Sequence, residues 1–289
     1  MDLTRGRRLG AAAVAIAAAA AIASGVAAPA AGPDTDARDF AVRVARDGPR
    51  PAAGAAERRT HLRMRDAFRA AGLAVEVQRF DVPGRGRSRN VIGVLDTPHR
   101  CLRIAMAHTD STPRGPGAND NASGLGVLAA MAPRLAGPRP GCDVWLVATG
   151  AEERVYTGSP DHLGALALAR LVRRRGLRGR LRYALSLDEV GRDRPFWLRS
   201  PAGAPRRGVE RELLAAARRA GVAARWVRDD GTGNSDHREF ELLGMRGLKL
   251  GVGAGGEPCR HRACDRPHRL RRSSLEAARR VVERALRRP

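Results

Sequence analysis

Apolar positions recur at two spacings along this chain, and the switching between them outlines a fold. Ala37, Phe40, Ala41 and Val44 follow at helical intervals, and Asp47-Gly48-Pro49 supplies a stop. Gly48 to Gly54, with Pro49 and Pro51, reads as a loop. A second helix is predicted from about Ala56 to Ala71, closed by Gly72. Leu73, Val75 and Val77 then alternate with Ala74 and Glu76, the spacing of a strand. Asn90 to Leu95 and Leu102 to Ala107 are further strands, separated by a turn at Thr97-Pro98. Leu125, Leu128, Ala129, Ala132 and Leu135 restore the helical spacing.

From there strands and helices take turns. Strands are predicted at Val144 to Thr149, Leu181 to Leu187, near Ala224 to Val227 and near Leu248 to Val252. Leu163 to Arg175 is a predicted helix, and Val209, Leu213, Leu214 and Ala217 mark another. A last helix is expected from about Ser274, announced by the capping-box pattern Ser273-x-x-Glu276. Such an order predicts an α/β fold: a single three-layer α/β/α domain with a mostly parallel mixed central sheet. No repeat interrupts it, and no linker is long enough to require a second domain.

The first residues follow a different pattern. Arg5, Arg7 and Arg8 precede a run from Leu9 to about Ala28 made almost entirely of Ala, Val and Ile, with small residues through Ala31. A positive start, an apolar stretch and a small-residue exit are the layout of a secretory signal, so residues 1–31 are expected to be removed and 32–289 to form the domain. A retained membrane anchor is the rival reading. Alanine is only weakly apolar, which favours cleavage and a secreted protein.

Composition changes the picture in two ways. Four cysteines are present: Cys259 and Cys264 lie close together, and Cys101 and Cys142 start two strands expected to be neighbours. Two disulfides in an oxidising compartment fit this usage, with buried free thiols as the alternative. The formal net charge is +23, and Lys249 is the only lysine. The arginines are spread over every predicted helix and aromatics make up 3% of the chain, so no stacking platform for nucleic acid is visible. The charge instead predicts a non-specific attraction to anionic surfaces.

The polar residues that remain gather at strand ends. His108, Asp110 and Asp120 follow the strand through Ala107. Glu152-Glu153 follow the strand through Val147, and Asp188-Glu189 follow Leu187. His261 lies between Cys259 and Cys264. Ligands bind outside the carboxyl ends of strands in open α/β sheets. Carboxylates brought together there either raise a pKa strongly or bind a cation, and mixed imidazole and carboxylate donors suit Zn²⁺. One bridging carboxylate would permit two ions about 4 Å apart. Glu152 and Glu153, as neighbours, can point in different directions, one to metal and one to substrate.

His108-Thr-Asp110, Gly117-Ala-Asn-Asp120-Asn-Ala-Ser-Gly124, Gly150-Ala-Glu152-Glu153 and Leu187-Asp188 together resemble the motifs of the M28 family of co-catalytic zinc aminopeptidases. Ser235-Asp-His237-x-x-Phe240 and Cys259-x-His261-x-x-Cys264-Asp265 continue the resemblance in order. It implies the zinc-peptidase fold and two Zn²⁺ per chain, with Asp120 bridging, His108 and Asp188 completing one site, and Glu153 and His261 the other. It implies Glu152 as the general base, Asp110 as the residue that holds the His108 tautomer, and a cis peptide after Asp120. The function so implied is a secreted aminopeptidase acting on peptides with a free N-terminus, expected to be a monomer. A one-zinc enzyme like the glutaminyl cyclases, and a non-catalytic arginine-rich binder on the same scaffold, are the alternatives.

Two positions depart from the family pattern. Arg260 stands where a tyrosine usually precedes the ligand histidine, either to donate to a developing oxyanion or to point to solvent. Glu189 stands where an apolar residue usually follows the ligand Asp, and implies polar or basic rather than purely apolar N-terminal side chains. His237 is expected to be structural or pocket-lining. His162 and His268 are expected to be surface or capping residues, and Asp161 and Asp193 turn residues.

Overall fold

Helix α1 (Ala37–Ala45) starts where the Asp36 carboxylate accepts the backbone N–H of Asp39, and helix α2 (Ala55–Ala70) ends just before Gly72, whose φ is +78°. These bounds match the predicted ones. They come from a computed structural model that describes residues 36–136, 140–192, 196–201, 206–229, 233–252 and 257–287. The expected signal segment and Asp193 lie outside the described residues.

Eight strands form one sheet in the order β1-β2-β4-β3-β5-β8-β6-β7. They are β1 (Ala74–Val82), β2 (Gly86–Leu95), β3 (Leu102–His108), β4 (Asp143–Thr149), β5 (Leu181–Asp188), β6 (Phe196–Pro201), β7 (Ala224–Asp229) and β8 (Gly247–Gly251). The central strands β4, β3, β5 and β8 run parallel, while β2 and β6 pair antiparallel to β4 and β8. Helices cover both faces. Along β3, Ala105 and Ala107 pack with α1, α2, α3 (Ser123–Met131), α5 (Arg207–Arg219) and α7 (Arg272–Leu286). Ile104 and Met106 point the other way, toward α4 (Leu163–Arg174) and α6 (His237–Leu242). The mixed three-layer α/β/α architecture is therefore the expected one.

Several elements differ from the sequence expectation. The strands predicted at 73–77 and 90–95 are the open base of a longer hairpin, β1 paired to β2 from Ala74↔Val94 to Val82↔Gly86. Its far end is solvated and arginine-rich, so no alternation marks it. Strand β6 and helix α6, each six residues long, were not predicted. The helix expected through Leu135 stops at Met131, because Pro133 has no N–H to continue it. The capping box is absent: α7 begins at Arg272, no side chain caps it, and Glu276 instead binds Arg279.

Both disulfides are formed. Cys101–Cys142 ties the starts of the parallel neighbours β3 and β4, and Cys259–Cys264 closes a short loop. The parallel core thus presents the ends of β3, β4, β5 and β8 along one edge.

Candidate active site

Each polar group at that edge is held by a specific local device. His108 is the last residue of β3, and its Nδ1 lies 3.2 Å from the backbone oxygen of Asp110. Asp120 sits in a kinked turn, Ala118–Ala122, where the backbone leaves helical angles at Asp120 and Asn121 and the peptide between them is cis. The Asp265 carboxylate accepts the backbone N–H of Asn119 and of Asp120, at 2.8 and 3.0 Å. The Asn121 amide donates to the backbone oxygen of Leu187 at 2.7 Å, which ties this turn to the end of β5.

The Glu152-Glu153 turn depends on Asp110. Its two carboxylate oxygens accept the backbone N–H groups of Glu152 (3.0 Å) and Glu153 (2.9 Å). Asp110 was expected to hold the His108 ring. Its carboxylate is 3.5 Å from Nδ1, and the closer partner is its backbone oxygen, because both side-chain oxygens are engaged by the turn. Behind it, buried Glu57 accepts the backbone N–H of Ala151 and of Ala53.

The resulting geometry centres on Asp120. Its Oδ1 is 3.1 Å from His108 Nε2, and its Oδ2 is 3.1 Å from His261 Nε2. His261 Nε2 is also 3.4 Å from Glu153 Oε2, and His108 Nε2 is 3.8 Å from Asp188 Oδ1. Potential donor atoms of His108, Asp120 and Glu153 fall within 4.8 Å of one another, as do those of His108, Glu152 and Asp188. Asp120 Oδ2, Glu153 Oε1 and Asp188 Oδ1 are buried with no hydrogen-bond partner. Buried carboxylate oxygens without donors are costly, and a cation among them removes the cost.

Electrostatics point the same way. Burial, then Asp120 and Glu152, push Glu153 well above the usual carboxylate range. Glu152 is also pushed well up, by burial and by Asp188, Asp236 and Asp120, against the pull of His108. Burial opposes charge on His108, but Glu152, Asp110, Asp120 and Asp188 outweigh it and hold the ring's proton well above its ordinary range. The pocket is thus short of positive charge, and imidazole with carboxylate donors is a set that zinc accepts.

Other residues join the site in ways the sequence left open. Asp188 Oδ2 accepts the Ser235 hydroxyl (2.9 Å) and Lys249 Nζ (2.6 Å), which leaves Oδ1 facing His108. Lys249 was missed as a site residue. Its signal was a lone charge between Leu248 and Leu250 on a buried strand. Glu189 is buried at a φ of +62°, with Lys249 Nζ 3.7 Å and Arg260 Nε 3.9 Å from its carboxylate. Burial raises Glu189 to about 8 against the pull of Lys249. Arg260 turns inward, its Nε 3.7 Å from Asp120 Oδ2.

His162 occupies the N-cap position of α4 without a side-chain cap bond, so only its surface reading is corrected. It is buried rather than on the surface, with Nε2 3.3 Å from Glu152 Oε1. The loop before α4 folds under the Glu152 turn, which the sequence does not reveal. His237 bonds Asp229 at 2.8 Å, away from the Asp120 cluster, and His268 is exposed. Asp161 is a turn residue, its backbone N–H donating to Ser159 Oγ at 3.0 Å. Glu152, Glu153, His162, Asn234, Arg260 and His261 line an open cleft over these groups.

Comparison with known proteins places this arrangement. The chain is 30% identical over 186 residues to the probable lipoprotein aminopeptidase LpqL of Mycobacterium tuberculosis, a match covering 58% of this chain and 35% of that protein. Another curated relative is matched over 20% of its length, so the chain spans about a third or less of these relatives. Among solved structures, the zinc aminopeptidase BSAP from Bacillus subtilis superposes with a TM-score of 0.75 at 19% identity, covering 88% of this chain and 95% of that one. A Porphyromonas gingivalis glutaminyl cyclase gives 0.74 at 21% identity, covering 88% and 98%. At these identities the two structures speak for the fold. The sequence model described as "Peptidase family M28" matches residues 90–286, from within β2 to the end of α7 and through His108, Asp120, Glu152-Glu153, Asp188 and His261. With that match spanning most of the chain, the protein belongs to peptidase family M28.

Proposed function

We propose that this chain is a zinc-dependent aminopeptidase that hydrolyses the first peptide bond of substrates with a free N-terminus. One observation carries the reading: the two oxygens of Asp120 each lie 3.1 Å from a different imidazole Nε2, beside buried carboxylate oxygens without partners. Those residues fit zinc: His108, Asp188 and Asp120 would hold one ion, and Glu153, His261 and Asp120 a second. When bound, zinc would acidify water and polarise the scissile carbonyl.

The chain's own groups divide the remaining work. Glu152, held at the mouth by the Asp110 contacts, takes a proton from the attacking water and returns it to the leaving amine. Arg260, with its guanidinium inside the cleft, donates toward the oxyanion that develops on the carbonyl. Glu189, compensated by Lys249 and Arg260, gives the neighbouring wall a polar character that favours polar N-terminal side chains.

Further parts of the reading concern the whole protein. Two disulfides support export to an oxidising compartment, with residues 1–31 as the cleaved signal and 32–289 as the working monomer. The likeness to a glutaminyl cyclase structure favours a second reading, a one-zinc cyclase. Metal analysis separates the two: two zincs per chain support the peptidase, one supports the cyclase.

The functional test is a panel of aminoacyl chromogenic substrates. Hydrolysis should vanish with a chelator and return with Zn²⁺. Glu152→Gln should lower kcat by about a thousandfold or more while zinc content stays near two per chain. Wild-type rates from that variant would remove Glu152 from the role of base.

A further inference from the structure

The groups around Glu152 form a chain that the proposed chemistry does not itself require. Glu152 Oε2 faces the His108 side of the cleft at 4.0 Å, and Oε1 faces His162 Nε2 at 3.3 Å. On the far side of the ring, His162 Nδ1 lies 3.0 Å from Glu239 Oε1. The same oxygen accepts the backbone N–H of His162 at 3.1 Å and an N–H of Arg238 at 2.7 Å. Glu239 is fully buried on α6, and Arg238 also pairs with Asp161, one residue before His162. Two neighbouring elements far apart in the chain, the start of α4 and helix α6, therefore converge on one imidazole.

The chemistry of this array is directional. Glu239 is held below its ordinary range: burial would raise it, but the His162 and Arg238 contacts outweigh that, so it is an acceptor only. His162 Nδ1 must then carry a proton, which fixes the ring's orientation and aims Nε2 at Glu152. A general base faces its water ionised, so the Nε2 contact is attractive when Nε2 also carries a proton; burial disfavours that charged ring and Glu239 on its far side favours it.

On the reading of Glu152 as the general base, we infer that His162 is a positioning residue: it clamps Oε1 so that Oε2 faces the reacting centre, and Glu239 sets the clamp's orientation. The ring touches neither His108 nor any of the carboxylates assigned to zinc. Its loss should therefore change how well the base is aimed, not how much metal is held.

The test uses zinc-loaded protein. His162→Phe keeps an aromatic of similar size and leaves Glu239 its backbone and Arg238 donors. It should lower kcat by about ten- to hundredfold, with KM within about threefold of wild type and zinc content unchanged. His162→Gln, whose amide reaches the Nε2 position, should recover most of that loss. Glu239→Gln should lower kcat on its own and add nothing in the His162→Phe background. Imidazole ¹⁵N and ¹³C resonances supply a readout independent of turnover. His162 should keep its Nδ1–H toward Glu239, and its Nε2 signal should move when Glu152→Gln is introduced. A kcat for His162→Phe within twofold of wild type, equal losses in the Phe and Gln variants, or an Nε2 signal blind to Glu152→Gln would each overturn the clamp. A wild-type protein that hydrolyses no aminoacyl substrate would overturn the peptidase reading instead, while the resonances would still decide whether the clamp exists.

Discussion

At the scale of single residues, Asp110 shows how a site is aimed through the backbone. Two adjacent N–H groups, of Glu152 and Glu153, each require an acceptor, and the two oxygens of one carboxylate supply both. Asp110→Asn keeps the shape but replaces one acceptor with a donor. A buried N–H left facing an amide costs about 1–3 kcal/mol, and the turn that carries both glutamates must shift to relieve it. The variant should melt lower than wild type and lose about tenfold or more in kcat, measured at saturating Zn²⁺. Unchanged kcat with lowered stability would confine Asp110 to a structural role. Much of this site was legible in the sequence because its residues come in short contiguous motifs at strand ends, such as His108-Thr-Asp110 and Glu152-Glu153. His162 and Lys249 were not legible in that way. Each enters through a side chain whose partner, Glu152 or Asp188, is distant in the chain, so only the packed structure pairs them.

At the scale of elements, α3 illustrates why helical spacing alone was an incomplete guide. Every residue from Ser123 to Met131 is buried, so this helix has no polar face, and its close neighbours are accommodated by glycine. A Cβ on Gly126 would lie 2.2 Å from the backbone oxygen of Ala37 and 3.1 Å from Ala41 Cβ, on the facing helix α1. In an open helix, Gly→Ala gains about 1 kcal/mol. Here overpacking against a backbone atom costs about 1–3 kcal/mol and decides the sign. Gly126→Ala should therefore lower the denaturation midpoint, and a rise would show that α1 yields easily. The elements the sequence missed failed for the opposite reason. Helix α6 is shorter than two turns, and β6 offers only Phe196, Leu198 and Ser200 as its buried alternation before Pro201. Neither is long enough for a period to emerge; β6 takes its form from β8, which lies between it and the core strands, and α6 from packing on β8, β5 and α4.

At the scale of the molecule, the charge and the site have opposite signs. Fifty-three basic side chains face 30 acidic ones, and Asp110, Asp120, Glu152, Glu153, Asp188 and Glu189 gather buried at one edge of the sheet. Several of the remaining acids are already paired on the surface, as in Arg175–Glu76, Arg87–Asp81 and Arg272–Asp39. The unpaired excess is arginine, spread over several elements rather than set in a groove, and few aromatics accompany it. Such a surface attracts anions by long-range field alone, and that field is short-lived in salt: its reach is about 8 Å at physiological ionic strength and about 3 Å at 1 M. Binding to heparin beads or to vesicles rich in anionic lipid should therefore be strong at low salt and lost by about 1 M NaCl. It should be the same for wild type and Glu152→Gln, and the same with or without chelator, because neither change touches the outer arginines. Retention that survives 1 M salt, or that depends on zinc, would mean a specific surface or the site itself is engaged, and would end the non-specific account.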